Sequence, residues 1–302
     1  MISTGSHPAL LWPGIFAVWG QVYRQLPAQY EDLYNFRDSD KAYEKAVQVT
    51  GFGLAPVKPE GATITYDSEI QGLTTTYVHI AYALGYIVTY EELRDNLYQE
   101  VATNRATANA YAVGQTLNVL GAAIYNDGFT GSAFLMADGQ PLLSANHVTA
   151  LGGNFSNMLS PGVDLMEASL EDACVLLMGM QDDRGNRISA KPLSLHIAPQ
   201  EWFNAQRILK STLQSGTANN DINVLYQSNA FPQGVKMNQY FTNPHAWFIR
   251  TDIPNGMTAF WRDRPIFDQD NSFDTKSALA STYFRLSFGA TDPRGIIGSN
   301  GP

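Results

Sequence analysis

The sequence predicts an α+β fold, in which a long helix lies on a sheet completed by strands from distant parts of the chain. Residues 62–88 contain two runs of alternating side chains separated by turn residues, which is typical of a β-hairpin. A helix with an N-terminal capping box follows from residue 89. Further β-type runs come after residue 240, and we expect them to return to the sheet under the helix.

The composition favours a chain that meets other protein subunits. Its 302 residues exceed one ordinary domain and allow two subdomains. Hydrophobic residues make up 44%, whereas charged residues make up only 16%, below the ~25% of typical soluble domains. The chain also has 15 Tyr, 15 Phe and 5 Trp, and aromatic residues are enriched at interfaces. A β-rich monomer with aromatic strands is the alternative.

The charge pattern excludes a protein that binds nucleic acid tightly. The formal net charge is −9, and the Lys and Arg residues are scattered singly. A tight binder needs a concentrated basic face. A container that holds DNA without adhering to it fits this pattern, as do many acidic proteins of other kinds.

Cysteine usage and hydropathy indicate a chain made in a reducing compartment. Cys174 is the only cysteine, so no intrachain disulfide can form, and its apolar surroundings predict a buried thiol. No apolar stretch approaches the ~20 residues of a membrane span. The first residues lack the basic and apolar regions of a signal peptide. We therefore expect a soluble intracellular chain with no membrane partner.

Residues 1–50 are predicted to form an irregular arm, because prolines interrupt them. Aromatic side chains recur along this segment, and such a density of rings is costly in a solvated tail. An arm that lies across a neighbouring subunit accounts for them, and an arm packed on its own body is the alternative. The predicted contact residues here are Trp12, Phe16, Trp19, Tyr23 and Tyr30.

The predicted hairpin has strands at Thr63–Tyr66 and Thr76–Tyr82. Neither face is apolar enough to be committed to a core, and an isolated two-stranded ribbon is only marginally stable in water. We therefore expect the hairpin to project from the body and to become ordered when it docks on another chain. Its predicted contact residues are Ile64, Tyr66, Tyr77, Ile80 and Tyr82.

The long helix is predicted to begin at a capping box formed by Thr89 and Glu92. An apolar stripe at helical spacing starts with Leu93, Leu97 and Val101. A helix of ~36 residues would extend over ~54 Å at 1.5 Å per residue.

Downstream, the pattern predicts a compact α/β lobe. An apolar stripe at 166–180 indicates a helix, 193–197 alternates as a strand, and Pro199 begins another helix. A polar loop follows at 211–221. The remaining predicted strands are 224–226, 234–241, 246–250, 258–261 and 282–288.

Motifs for catalysis or metal binding are not evident in the sequence. The histidines are far apart and form no HExxH pair, and neither a G-x-S-x-G elbow nor a phosphate-binding loop occurs. We predict no cofactor, no metal and no catalytic residue. Ser144, His147 and Asp138 are close in sequence and leave a hydrolase as a third hypothesis. A triad is defined by geometry, however, and His147 as an anchor of its loop is favoured.

The ordered set of motifs resembles the major capsid proteins of tailed bacteriophages with the HK97-like fold, specifically the Mu-like head subunits. The matching segments are the aromatic arm, Glu60-Gly61 with Thr65-Tyr66-Asp67, and Gly85 to Thr89 before Glu92 and Asp95 to Tyr98. Asp127-Gly128, Asp138-Gly139 with His147, and Lys191-Pro192 follow in the expected order. The resemblance covers most of the chain.

The resemblance implies a shell subunit whose copies form pentamers and hexamers of an icosahedral shell. It also implies packaged double-stranded DNA held by weak, non-specific contact, and a portal, a separate scaffold and a decoration protein as further partners. The implied location is the virion, after assembly in the host cytoplasm. The implied parts are the N-terminal arm (1–50), the extended loop (51–88), the peripheral domain with its spine helix (89–154), the axial domain (155–240) and the return strands of the peripheral domain (241–302).

One departure from the family bears on how the shell is held together. Some members join their subunits through a lysine in the extended loop, but residues 62–90 contain no lysine, and Lys58 lies at the base. We therefore expect noncovalent interlocking or a decoration protein. A nanocompartment of the encapsulin type, which shares the fold but stores an enzyme, is the second hypothesis.

Overall fold

The computed structural model describes residues 12–94, 98–214 and 221–302. Its helices are α1 (Trp12–Gln25), α2 (Tyr90–Arg94), α3 (Tyr98–Asn126), α4 (Glu167–Gly179), α5 (Trp202–Lys210) and α6 (Val224–Gln227). Its strands are β1 (Asn35–Asp38), β2 (Tyr43–Thr50), β3 (Ile70–Val78), β4 (Ile80–Val88), β5 (His147–Val148), β6 (Asn154–Phe155), β7 (Pro192–Ile197), β8 (Val235–Met237), β9 (Trp247–Thr251), β10 (Met257–Asn271), β11 (Ala278–Ala290) and β12 (Ile296–Ser299).

The long helix α3 lies on a four-stranded sheet with the order β1-β10-β11-β4. Val113 and Leu117 of α3 pack on Trp261, Phe284 and Leu286 of the sheet. Strand β1 runs parallel to β10, whereas the other neighbours are antiparallel. The helix has 29 residues, or ~43 Å at 1.5 Å per residue. The sheet therefore draws its strands from both ends of the chain, as the α+β prediction requires.

The predicted α/β lobe forms around a second four-stranded sheet with the order β12-β9-β7-β8. The helices α4 and α5 contribute to its core, in which Leu170, Leu177 and Ala205 meet Trp247 and Ile297. The helix at 166–180, the strand at 193–197 and the helix after Pro199 are confirmed. Strands β9 and β12 belong to this sheet, so residues 241–302 do not all return to the sheet under α3.

The prediction of an irregular arm is wrong for residues 12–25, which form the helix α1 on the surface of α3. Pro13 lies in the first turn of α1, where a missing N–H costs no helical hydrogen bond. Pro27 comes after the last turn. The ring of Trp19 is 5% exposed, stacks on Phe267, and donates its indole N–H to Asn109. This part of the arm thus packs on its own body.

The predicted partner strand of the hairpin is also wrong. Strand β3 pairs with β2, not with residues 63–66, and the register places Tyr43 opposite Val78. Residues 51–69 form the connecting loop and contain no strand. The predicted run at 76–82 is divided at His79 between β3 and β4, and β4 pairs with β11 instead. The projecting ribbon is therefore β2–β3, and it begins earlier in the chain than predicted.

One predicted strand is a helix. Residues 224–226 lie in α6, and the side chain of Asn223 accepts a hydrogen bond from the amide of Tyr226 at 3.1 Å. An N-cap of this kind satisfies a free amide of the first turn and stabilises a helical start. The cap outweighs the β-propensity of Val224 and Tyr226.

Candidate assembly surfaces

The ribbon β2–β3 has one face on the body and one face in solvent. Residues directly opposite each other on paired strands share a face. Tyr43, Val47, Val49 and Val78 lie on the outer face and are all exposed. On the inner face Tyr77 is only 3% exposed. The ribbon therefore presents several exposed apolar side chains, with Lys45, Thr74 and Thr76 between them, that no described residue of its own chain covers.

The inner face of the ribbon is fixed to the body through Tyr77. Its hydroxyl and that of Thr291 lie 2.7 Å apart, and its ring packs on Phe260 at 4.9 Å between centroids. An added Cβ at Gly289 would lie 2.6 Å from the Tyr77 ring, so only glycine lets the ring approach the sheet. Burial raises the pKa of Tyr77 to about 12. The hydroxyl therefore stays protonated and keeps its hydrogen bond.

The loop that joins β2 to β3 is exposed at every position from 51 to 69. It carries large apolar side chains, among them Ile64 and Tyr66, and Tyr66 is 90% exposed. Contiguous exposed apolar surface of this kind marks interaction sites more often than free surface. Both residues were predicted contacts, and the structure places them on the projecting loop.

Asp67 ties this loop to the α/β lobe. Its carboxylate accepts from the Gly53 amide at 2.8 Å and from the Arg184 guanidinium at 3.0 Å. Arg184 also donates to the carbonyl of Ser68. The amides of Gly53 and Ser68, followed by Arg184, lower the pKa of Asp67. One carboxylate thus joins both ends of the loop to the turn after α4.

His79 occupies the junction where the ribbon leaves the main sheet. Its Nδ1 lies 3.0 Å from the Ser287 hydroxyl, and its Nε2 lies 3.1 Å from the Ser39 hydroxyl. Ser39 in turn donates to Glu44 at the start of the ribbon. Burial and the nearby Arg285 lower the pKa of His79, which favours the neutral imidazole. The junction is a connected polar network, and it sets where the ribbon begins.

The helix start has the geometry of a capping box. The Thr89 amide donates to Glu92 at 3.1 Å, and the Glu92 amide donates to the Thr89 hydroxyl at 3.4 Å. Arg105 of α3 binds both carboxylate oxygens of Glu92 and, with the Thr89 amide, lowers the pKa of that carboxyl. The stripe residues Leu93, Leu97 and Val101 have side chains outside the described part of the structure.

The predicted contact residues of the arm, the end of β3 and the first part of β4 differ in exposure. Phe16 and Ile80 are exposed, whereas Trp19, Tyr30 and Tyr77 are buried within the chain and Tyr23 and Tyr82 are half-buried. The side chain of Trp12 lies outside the described residues. The buried members of this set stabilise the subunit and offer little surface to a neighbour, which corrects the expectation of an exposed aromatic arm.

Sequence reasoning missed the outer face of β2. The residues Tyr43, Lys45, Val47 and Val49 alternate with inward ones, and this period of two was available as a strand signal. The prediction of a single arm over residues 1–50 leaves no place for this strand signal. Arg184 was also missed, because it lies 117 positions from Asp67 and no local pattern connects them.

The geometry around His147 gives no catalytic triad. His147 Nδ1 lies 2.7 Å from Asp138, but its Nε2 lies 3.3 Å from the carbonyl oxygen of Leu142, not near Ser144. The Ser144 hydroxyl donates to Gln140 instead. Burial disfavours ionisation of Asp138, yet its hydrogen bond from His147 lowers the pKa of that carboxyl overall. His147 thus anchors its loop, and Ser144 has no base.

The described residues hold no group of three His, Cys, Asp or Glu side chains arranged to bind a metal ion. Cys174 is a free, buried thiol, and burial raises its pKa to about 11. Within the same residues, no helix is both long and apolar enough to span a membrane.

A family model described as phage capsid protein matches residues 72–299. Three solved structures share the fold over most of both chains. The capsid of an empty GTA particle is 12% identical, with 89% of this chain and 88% of that chain covered and a TM-score of 0.56. The capsid of cyanophage P-SCSP1u is 11% identical, with 89% of this chain and 86% of that chain covered and a TM-score of 0.54.

The third structure is a virus-like particle from Pyrococcus furiosus. It is 10% identical, with 96% of this chain and 99% of that chain covered and a TM-score of 0.53. No curated protein sequence matches the chain. At such low identity these likenesses establish the fold, which is that of HK97-like capsid subunits.

Proposed function

The chain belongs to the phage capsid protein family, and from this premise we propose that it is the major head subunit of a tailed phage. Its copies assemble as pentamers and hexamers into an icosahedral shell around double-stranded DNA. The observation that carries the proposal is the ribbon β2–β3, whose inner face packs on the body while its outer face and its loop expose large apolar side chains to solvent.

The ribbon supports assembly because it exposes large apolar side chains on its outer face and on its loop. Burying an exposed apolar side chain against a neighbour contributes roughly 1.5–3 kcal/mol. Tyr43, Val47, Val49 and Val78 on the outer face, with Ile64 and Tyr66 on the loop, form such a surface. A neighbouring copy that receives this face removes it from water, and the same contact repeated around a ring closes a capsomer.

The electrostatics agree with a container for DNA, not with a tight binder of it. The formal net charge of −9 gives no long-range attraction for a polyanion. Contact with packaged DNA is therefore weak and non-specific in this proposal. A portal, a separate scaffold and a decoration protein complete the particle, which assembles in the host cytoplasm and persists as the virion.

The shell is held together by noncovalent contacts in this proposal. The stretch from 62 to 90, which contains β3, β4 and the end of the loop, has no lysine for an isopeptide bond. Lys58 lies in the exposed loop, between Pro56 and Pro59. Neighbouring ribbons therefore interlock through apolar burial and backbone hydrogen bonds.

A nanocompartment is the second candidate, and the match to the virus-like particle from Pyrococcus furiosus favours it. The two candidates differ in their contents. Particles purified from phage-infected cells should contain DNA if the chain is a head subunit. A copurifying enzyme and no DNA would support the nanocompartment instead.

Negative-stain images of the purified full-length chain test assembly directly. A variant in which residues 54–65 are replaced by a Gly-Ser linker of the same length should remain folded, because all of these residues are exposed. We expect it to form no closed particles. A matched control replaces only the residues 58–61, keeps every apolar side chain of the loop, and should assemble. Closed particles from the first variant would contradict the role of the loop.

A further inference from the structure

The long hairpin β10–β11 ends in a turn that exposes one aromatic ring almost completely. Phe273 is 95% exposed, the highest fraction among the large apolar side chains of the described residues. The turn is well defined, because the Ser272 amide donates to the carbonyl of Ser277 at 2.9 Å and Lys276 adopts a left-handed φ of 56°. The ring is therefore held outward on a rigid support.

A cleft that can receive such a ring lies elsewhere on the same chain, between the end of α1 and α3. It has a volume of about 270 Å³. Its walls are mostly apolar or aromatic, from Tyr23, Leu26, Pro27, Ala28 and Tyr30, and Gly114 lies beneath Leu26. An aromatic side chain contributes most to an interface when it fills a pocket of this kind.

The charges beside the ring and beside the cleft are complementary. Asp274 and Lys276 flank Phe273 on the turn, and both are exposed. Arg24 and Glu31 line the cleft, and both are exposed as well. Insertion of the ring can therefore bring Asp274 against Arg24, whereas Lys276 lies 5.8 Å from the centroid of the Tyr90 ring of its own chain. Such pairs fix orientation more than they add affinity.

From these observations we infer that Phe273 inserts into the cleft between α1 and α3 of a second copy of the chain. The two surfaces are different, so the contact is heterologous, and repetition of it generates a ring where the rotation closes. The inference rests on the proposed function, since it supplies one of the contacts by which shell subunits join. It is separate from the contact made by the ribbon β2–β3.

A cysteine pair tests the contact directly. The double variant Phe273→Cys with Ala28→Cys places one thiol on the turn and one in the cleft. The native Cys174 is buried and does not compete. Oxidation of assembled particles should give a ladder of covalently joined subunits on a non-reducing gel, whereas either single variant should give at most dimers. A disulfide requires Cβ atoms about 3.5–4.5 Å apart, so rapid formation of the ladder requires the turn of one copy to lie at the cleft of the next.

The energetic test is Phe273→Ala in the full chain. Because the ring is exposed in the subunit, its loss should leave the melting temperature unchanged. We expect the protein concentration at which particles appear to rise at least about tenfold, in line with an aromatic hot spot. Arg24→Asp and Asp274→Arg should each impair assembly, and the two together should restore part of it.

The outcomes separate this inference from the proposed function. If the wild-type chain forms closed particles but Phe273→Ala assembles at the wild-type concentration and the cysteine pair gives no ladder, the inserted ring is overturned and the shell function stands. If the wild-type chain forms no particles with or without other head proteins, the shell function itself fails. A ladder together with impaired assembly of Phe273→Ala supports both.

Discussion

Arg184 lies 3.0 Å from Asp67 and joins the projecting loop to the α/β lobe of the same subunit. The two residues are 117 positions apart; Asp67 lies in the loop between β2 and β3, and Arg184 lies in the turn after α4. A subunit that receives a neighbour on its ribbon needs the loop to be held in one direction beforehand, because ordering a free loop at the moment of contact costs conformational entropy. Arg184 holds the loop in this way, because one of its nitrogens donates to both Asp67 oxygens and the other donates to the Ser68 carbonyl.

Removal of this ion pair should free the loop without unfolding the subunit. We expect Arg184→Ala to raise the rate of chymotryptic cleavage after the exposed Tyr66 several-fold, because the loop then samples more open conformations. The melting temperature should change little, since exposed ion pairs contribute about 0–1 kcal/mol. The matched control is Arg264→Ala, which breaks an exposed pair with Asp38 far from the loop. Equal cleavage rates in both variants would contradict the proposed tether.

The hydroxyl of Tyr77 should contribute to the stability of the subunit. Tyr77→Phe removes its hydrogen bond to Thr291 and leaves a buried hydroxyl with one partner fewer. We expect the free energy of unfolding in urea to fall by about 0.5–1.5 kcal/mol. Tyr66→Phe removes the same atom from a side chain that is 90% exposed and should have no effect. Similar losses in the two variants would show that the buried Tyr77 hydroxyl contributes no more to stability than the exposed Tyr66 hydroxyl.

The sequence predicted those elements whose signals are local. The capping box of Thr89 with Glu92, the stripe of α4 and the start after Pro199 each depend on residues within a few positions of one another. The capping contacts join neighbours in the sequence, and an apolar stripe indicates a helix whatever surface the helix later packs on. The two prolines that frame α1 were wrongly interpreted as breaks, because proline in a first turn and proline after a last turn both permit a helix.

The strand that pairs with β3 could not be predicted in the same way. Strand β3 pairs with β2 across a long loop, and the stretch at 63–66 has the same alternation and lies closer. What decides the pairing is the burial of Tyr77 against Phe260, a residue from the other end of the chain. The exposed face of the ribbon follows from this choice, because a shift by one residue would reverse both faces.

Two glycine-to-alanine substitutions should change stability in opposite directions. At Gly289 an added Cβ would lie 2.6 Å from the Tyr77 ring, and we expect a loss of about 1–3 kcal/mol from overpacking. At Gly20 in α1 nothing lies within 4 Å of the added atom, and we expect a gain of up to about 1 kcal/mol from helix propensity. Thermal unfolding of both variants checks the signs.

His196 should make the subunit less stable in acid. Burial, then Arg250 and Lys236, lower its pKa from 6.5 to about 3. Between these values the unfolded chain binds a proton that the folded chain does not, so the free energy of unfolding rises with pH and falls as the pH decreases below 6.5. One such group contributes a slope of up to about 1.4 kcal/mol per pH unit.

The substitution His196→Gln should reduce this slope, measured by urea unfolding at several pH values from about 4 to about 7. The control is Ser194→Ala, which removes the hydroxyl 2.8 Å from His196 Nε2 but keeps the titrating ring. We expect that variant to be less stable at every pH while its slope stays close to that of the wild type. If His196→Gln and the wild type instead give parallel curves, acid unfolding is governed by carboxylates such as Asp127, whose pKa is lowered by hydrogen bonds from its own loop in spite of partial desolvation.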